Sequence, residues 1–187
     1  MEIKLTEQAR RVAHAADSKG RERRIALTTL HFGDGEIAAS DGYMLAVRKV
    51  GGIDNDIMLP AKAILDSKDI GKEFPHILVT LPDGDGAATL ITKDFVRSEV
   101  KQVAGTFPRY NQLWPTTPVQ ATISLSPTLL KKLLAIAGKN TVMIDLEIHS
   151  PTEPVKYTCF TGEGNDTTGL IMQMHHLRKT ANKGERR

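Results

Sequence analysis

The sequence has 187 residues, 40% hydrophobic, 25% charged and 5% aromatic, with a formal net charge of +3 and one cysteine. That length can bury a sizeable core, the sparse aromatics make it mostly aliphatic, and a single cysteine excludes an internal disulfide, which fits a reducing, cytoplasmic setting. No window approaches the ~18 apolar residues of a membrane span, the opening MEIKLTEQARR lacks the charged-then-apolar order of a signal peptide, and the mild positive charge points to an anionic partner.

In chain order, residues 1–5 read as a strand, and Thr6 is an N-cap for a helix over 7–17 that Gly20 ends. Strands follow at 24–32, 35–40 and 43–50, with Gly33-Asp34-Gly35 as a hairpin turn. A strand at 56–59 then leads into a helix opened by Pro60, running to about Lys68 and stopped by Gly71. Strands at 77–81, 87–92 and 95–104 come next, the first two joined through Asp83-Gly84-Asp85-Gly86. After a Pro-rich connection over 114–118, a strand at 121–125 meets Ser126-Pro127, an N-cap followed by Pro at the first helical position. The helix over 128–137 ends at Gly138, and strands follow at 141–148, 155–162 and 168–175.

Leu5-Thr6, Leu59-Pro60 and Leu125-Ser126 are therefore equivalent strand-to-helix junctions. The repeating unit is β-α-β-β-β, about 50–60 residues long, present three times, and such units bury their faces only by pairing or stacking. The pattern predicts an α+β fold with helices on one side of antiparallel sheets. In the last helix Leu129, Leu130, Leu133, Leu134, Ile136 and Ala137 share one broad face, opposite Lys131, Lys132 and Lys139. In the first, Ala9, Val12, Ala13 and Ala16 form the buried stripe while Arg10, Arg11 and His14 point away. The second buries Ile64 and Leu65, exposes Lys62, and carries Lys68 at its C-terminus, where a cation is favoured. Three basic outer faces, with Lys19-Gly20-Arg21-Glu22-Arg23-Arg24 beyond the first helix, suggest a phosphate-facing surface.

No catalytic constellation is present: there is no nucleophile elbow, no P-loop and no dinucleotide fingerprint, so no enzyme activity is expected. His175 and His176, adjacent in a predicted strand, point to opposite faces and cannot clasp one metal. Asp83 and Asp85 suit a turn and lack the further oxygens and closing Glu of a calcium loop. Cys159 sits among β-branched and aromatic neighbours as a packed hydrophobe. Neither a metal nor a cofactor is expected.

Three stretches, in this order, carry a resemblance. Ala38-Ala39-Ser40-Asp41-Gly42-Tyr43-Met44-Leu45-Ala46-Val47 is a strand, a tight corner and a returning strand. Gly105-Thr106-Phe107-Pro108-Arg109-Tyr110-Asn111-Gln112-Leu113-Trp114-Pro115 leads out of the second unit, and Leu170-Ile171-Met172-Gln173-Met174 stands near the end. Together they resemble the bacterial sliding clamps, the β subunit of the replicative DNA polymerase, whose domains each hold two β-α-β-β-β units around a central hole. The resemblance implies a complete clamp-like domain over 1–115, half a domain over 116–177, and a basic, disordered tail over 178–187. The first domain and half of the last are expected to be missing relative to a full clamp subunit, and Gln173 stands where the family has proline.

Carried over by position, the resemblance implies a docking pocket for partner peptides, from a polymerase or other clamp-binding proteins, at the junction of the two domains. It would be formed by Leu27, Ser40, Gly42, Tyr43, Met44, Leu45, Pro115, Leu170, Met172 and Met174. It also implies sequence-independent binding of double-stranded DNA through Arg10, Arg11, Arg21, Arg23, Arg24, Lys62, Lys131 and Lys132. A family ring has twelve helices, which four copies of this chain would supply; a homo-oligomer is expected, a tetramer favoured over a dimer, with a clamp loader as a further partner. The expected function is a processivity factor that tethers a polymerase or repair protein to DNA. The alternative is a non-encircling module that regulates or decoys clamp partners.

Overall fold

A computed structural model describes residues 1–17, 24–53, 56–84, 86–150, 152–161 and 166–174. The chain divides into two compact units, Met1–Trp114 and a second from Pro115 onward, each with its own apolar cluster.

In the first unit, strand β1 (Glu2–Thr6) buries Ile3 and Leu5 in alternation, as a two-residue period requires. Thr6 then caps α1 (Glu7–Arg10), its Oγ1 accepting the Ala9 N–H at 3.3 Å. The expected helix to residue 17 is not continuous: α1 gives way to a 3-10 turn, Arg11–Ala15, and Ala16 is already extended. The cause is long-range, because the Asp17 N–H donates to the Leu27 carbonyl at 2.8 Å and draws the chain off the helix axis. Tighter winding puts Val12, Ala13 and Ala15 all in the core, wider than the single stripe of an α-helix. A second 3-10 turn, Ile25–Thr28, replaces the start of the strand expected at 24–32. Here the Thr28 and Thr29 hydroxyls donate to the Ile25 and Ala26 carbonyls at 2.7 and 2.6 Å, a local alternative to the ladder.

Strands β2 (Thr29–Gly33), β3 (Glu36–Ser40), β4 (Leu45–Lys49) and β5 (Ile57–Pro60) form one antiparallel sheet in the order β4-β3-β2-β5. Asp34 and Gly35 turn between β2 and β3 with φ of 51° and 73°, the double positive φ of a two-residue hairpin, one residue tighter than expected because Gly33 still belongs to β2. After α2 (Ala61–Asp66), which ends before Lys68 because Ser67 is extended, come β6 (His76–Thr80), β7 (Ala88–Ile91) and β8 (Arg97–Val100). These join β1 in a second sheet, β1-β6-β7-β8. The last strand is shorter than expected, since Asp94 and Phe95 both take positive φ in a turn. Each repeat thus hands its first strand to the other's sheet: β1 pairs with β6, and β5 with β2.

In the second unit, α3 (Pro127–Ala137) starts where expected, with the Ser126 Oγ accepting the Thr128 N–H at 3.2 Å, and Gly138 ends it at φ 68°. Strands β9 (Met143–Glu147), β10 (Val155–Phe160) and β11 (Thr167–Ile171) form a three-stranded sheet, β11-β10-β9. Leu133, Val155, Tyr157, Cys159 and Ile171 are its buried core. Residues 121–125 form no strand, and the final strand stops at Ile171, short of Met172 and Met174. Of the broad apolar face of α3, only Leu133 is buried; Leu134 is 63% exposed and Ile136 53%.

Candidate functional site

The hairpin between β3 and β4 is built by its own polar side chains. Asp41 Oδ1 accepts the backbone N–H groups of Tyr43 at 2.9 Å and Met44 at 2.7 Å, and the Ser40 hydroxyl accepts that of Gly42 at 3.1 Å. The Tyr43 amide and then the Met44 amide hold the Asp41 carboxyl below its ordinary pKa. Gly42 takes φ 90°, where a Cβ would stand 3.7 Å from Leu27 Cδ1, so the turn rests on the buried Leu27. Tyr43 is 92% exposed and Met44 62%. Two large apolar side chains are thereby held in water on a turn with little freedom, while Leu45, half-buried, packs against the cluster of Ala38, Met58, Phe107 and Tyr110. Asp41 was not among the expected site residues; its position in an Asx-type turn is the signal that marks it.

Behind the hairpin, the 103–114 segment is pinned to the first unit. Phe107 stacks on His31 with ring centroids 4.8 Å apart and packs edge-on against Tyr110 at 6.1 Å. His31 Nε2 lies 2.7 Å from Asp56, and the Tyr110 hydroxyl donates to Glu36 at 3.2 Å. Burial first, then the Glu36 charge, raises the Tyr110 phenol to about 12. The Val103 N–H donates to the Met58 carbonyl at 2.9 Å.

In the second unit Pro115 is exposed. Leu170, Met172 and Met174 are exposed too, with Ile171 buried between the first two and Gln173 anchored by its amide to the Ser150 and Glu153 carbonyls at 2.9 and 2.7 Å. The alternation expected of a strand persists past its end.

The basic residues fall into three groups. Arg10 does not point away as expected: it is 11% exposed, donates to the Ser67 carbonyl, and pairs with Asp69 at 2.6 Å. Its guanidinium ties the first helix to the end of the second. Arg11 pairs with Glu7 at 2.6 Å and Lys62 pairs with Asp66, both in the open at i,i+4 spacing, leaving each cation able to exchange partners. Arg24, Lys131 and Lys132 are exposed. Arg21 and Arg23 lie outside the described residues, as do His175, His176 and the 178–187 tail. Among the described residues no group of His, Cys, Asp and Glu is placed to hold a metal ion, and no helix is long and apolar enough to cross a membrane.

No protein-family model matches the chain, and no curated protein does. Solved structures do. The DNA polymerase III beta chain of Streptococcus pneumoniae is 18% identical with a TM-score of 0.65, over 94% of this chain and 50% of that one. Subunit beta of DNA polymerase III from Borrelia burgdorferi is 14% identical at 0.69, over 92% and 47%. The DNA polymerase sliding clamp of Pseudomonas aeruginosa is 16% identical at 0.66, over 94% and 52%. The chain spans about half the length of the clamps it matches. With its reciprocal strand exchange and its β-α-β-β-β repeats, it has the sliding-clamp fold of the DNA polymerase III beta subunits.

Proposed function

We propose that this chain is a clamp-like processivity factor: it holds duplex DNA without reading its bases and tethers a polymerase or repair protein through a short hydrophobic peptide. The observation that carries the reading is the Asp41-braced hairpin on a clamp fold, with Tyr43 92% exposed. A rigid turn loses little entropy when a partner covers it, and Met44 beside Tyr43 gives an adaptable surface suited to several related peptides. Leu170, Met172 and Met174 supply a second apolar strip on the other unit. The role is binding and not catalysis, in a soluble, cytoplasmic protein.

DNA contact is assigned to Arg11, Arg24, Lys62, Lys131 and Lys132, with Arg21 and Arg23 of the same basic run. Arg10 is reassigned to holding the helices together. Four copies would supply the twelve helices of a ring, and a clamp loader is a further partner. A second reading, a non-encircling regulator or decoy of clamp partners, is favoured by one observation: the braced hairpin lies wholly within the first unit, so peptide capture there needs no ring.

Fluorescence anisotropy with a labelled apolar peptide tests the docking. Tyr43→Ala is expected to weaken binding at least about tenfold, as a hot-spot aromatic does, with stability unchanged because the ring is in water. Equal binding by the variant removes the hairpin from the site.

A further inference from the structure

The third repeat lacks what the other two exchange. In the first unit, β1 of one repeat lies on β6 of the other with Leu5 opposite Ile77, and β5 lies on β2 with Leu59 opposite Leu30. Strand β9 holds the corresponding place in the third repeat, yet it is an edge of its sheet. The corresponding first strand, residues 121–125, is present in the chain but belongs to no sheet.

That segment is nonetheless held where a first strand belongs. The Met174 N–H donates to the Ser124 carbonyl at 2.7 Å, just as the Val103 N–H donates to Met58 at 2.9 Å. Ser124 and Met58 each stand one residue before the junction leucine, Leu125 and Leu59. One side of the segment is thus occupied as in β5, and the other side is the one β5 offers to β2.

We propose that a second copy of this chain supplies both missing strands: residues 122–126 of each copy pair antiparallel with β9 of the other about a two-fold axis. The register follows from the first unit, where the junction residues Thr6 and Pro60 face the first residues of β6 and β2, His76 and Thr29. Ser126 then faces Met143, Leu125 faces Ile144, Ser124 faces Asp145, Ile123 faces Leu146, and Thr122 faces Glu147. Each face is chemically matched. Ile123 and Leu125 meet Ile144 and Leu146 on the side where Ile123, Leu125 and Ile144 already pack on the core. Ser124 and Thr122 meet the carboxylates of Asp145 and Glu147 on the outer side. An isologous contact satisfies both open edges at once, removes an edge that would otherwise template aggregation, and draws cover toward the exposed Leu134 and Leu146.

The pairing rests on the fold and joins two copies; the ring of four would need a further contact between such pairs. The test uses the 187-residue chain with paired cysteines, Ser124→Cys with Asp145→Cys; the native Cys159 is buried. Mild oxidation is expected to give a disulfide between copies, doubling the mass on a non-reducing gel, with Asp145→Cys alone giving none. Leu146→Asp, at a side chain 41% exposed in the single copy, is expected to keep the fold by circular dichroism and lose the doubled native mass. A native mass of one copy at every concentration overturns the proposal, and so does a doubled mass without the disulfide. Loss of DNA retention with the disulfide formed refutes the tether and leaves the pairing standing.

Discussion

Replacing Phe107 by Ala attacks the anchor beneath the candidate docking face. The ring is 5% exposed, stacked on His31 and edge-on to Tyr110. A buried aromatic removes on the order of 150–250 Å2 from water, which at about 25 cal/mol/Å2 is roughly 4–6 kcal/mol, an upper bound because the unfolded chain is not fully extended. Measured truncations of buried Phe cost about 3–5 kcal/mol, and the lower half of that range is the expectation here. Phe107→Leu keeps most of the apolar area and loses the two ring pairings, about 0.5–1.5 kcal/mol each. Urea unfolding followed by the fluorescence of Trp114, the only tryptophan, reads both changes close to the site. A loss below about 1 kcal/mol for the alanine variant, inside the range of a surface change, would show that the 103–114 segment is not pinned by this ring.

Arg10 and Arg11 are neighbours with opposite expected behaviour. Arg10→Ala leaves Asp69 and the Ser67 carbonyl without their donor and is expected to cost about 1–3 kcal/mol in urea unfolding, whereas Arg11→Ala is expected to change stability by less than about 0.5 kcal/mol; equal losses refute the assignment. In DNA binding, Lys131→Glu with Lys132→Glu is expected to weaken binding to duplex of any sequence and flatten its salt dependence, read by titration at several salt concentrations. The Tyr110 phenol, raised from 10.0 to about 12, is held neutral by the fold, so its stabilising share is intact below pH 10 and is lost as pH climbs through 12. Tyr110→Phe is expected to flatten that alkaline limb in pH-dependent melts. Gly169 lies directly under the Tyr157 ring, so Gly169→Val is expected to destabilise the second unit, measured by its melting transition, and an unchanged transition contradicts the packing.

Local chemistry made much of the architecture legible. The junction at Leu5-Thr6, the Ser126-Pro127 helix start, the turn through Asp34-Gly35 and the Gly138 stop are each written within a few residues, whereas the strand expected before Ser126 does not form. What the sequence hid depends on contacts far along the chain. The helix expected over 7–17 breaks because Asp17 bonds to Leu27, and Arg10 turns inward because Asp69 waits 59 residues later. No periodicity announces that Phe107 will stack on His31, or that each repeat's first strand will join the other's sheet. At the candidate site the hairpin was legible from a turn between alternating runs, whereas Tyr43 and Met44 were singled out by the resemblance alone. Asp41, whose carboxylate organises that turn, was visible as a turn former but not as the group that fixes it.

The most direct test of the central claim is retention on DNA of two topologies. The chain is mixed with nicked circular duplex at low salt, washed at high salt, and the circles are then linearised. Encirclement predicts protein that survives the wash on circles and is lost once ends are created, because a tether that surrounds DNA slides off an end. Retention that is the same on circles and linear duplex, and that falls only with salt, would contradict encirclement.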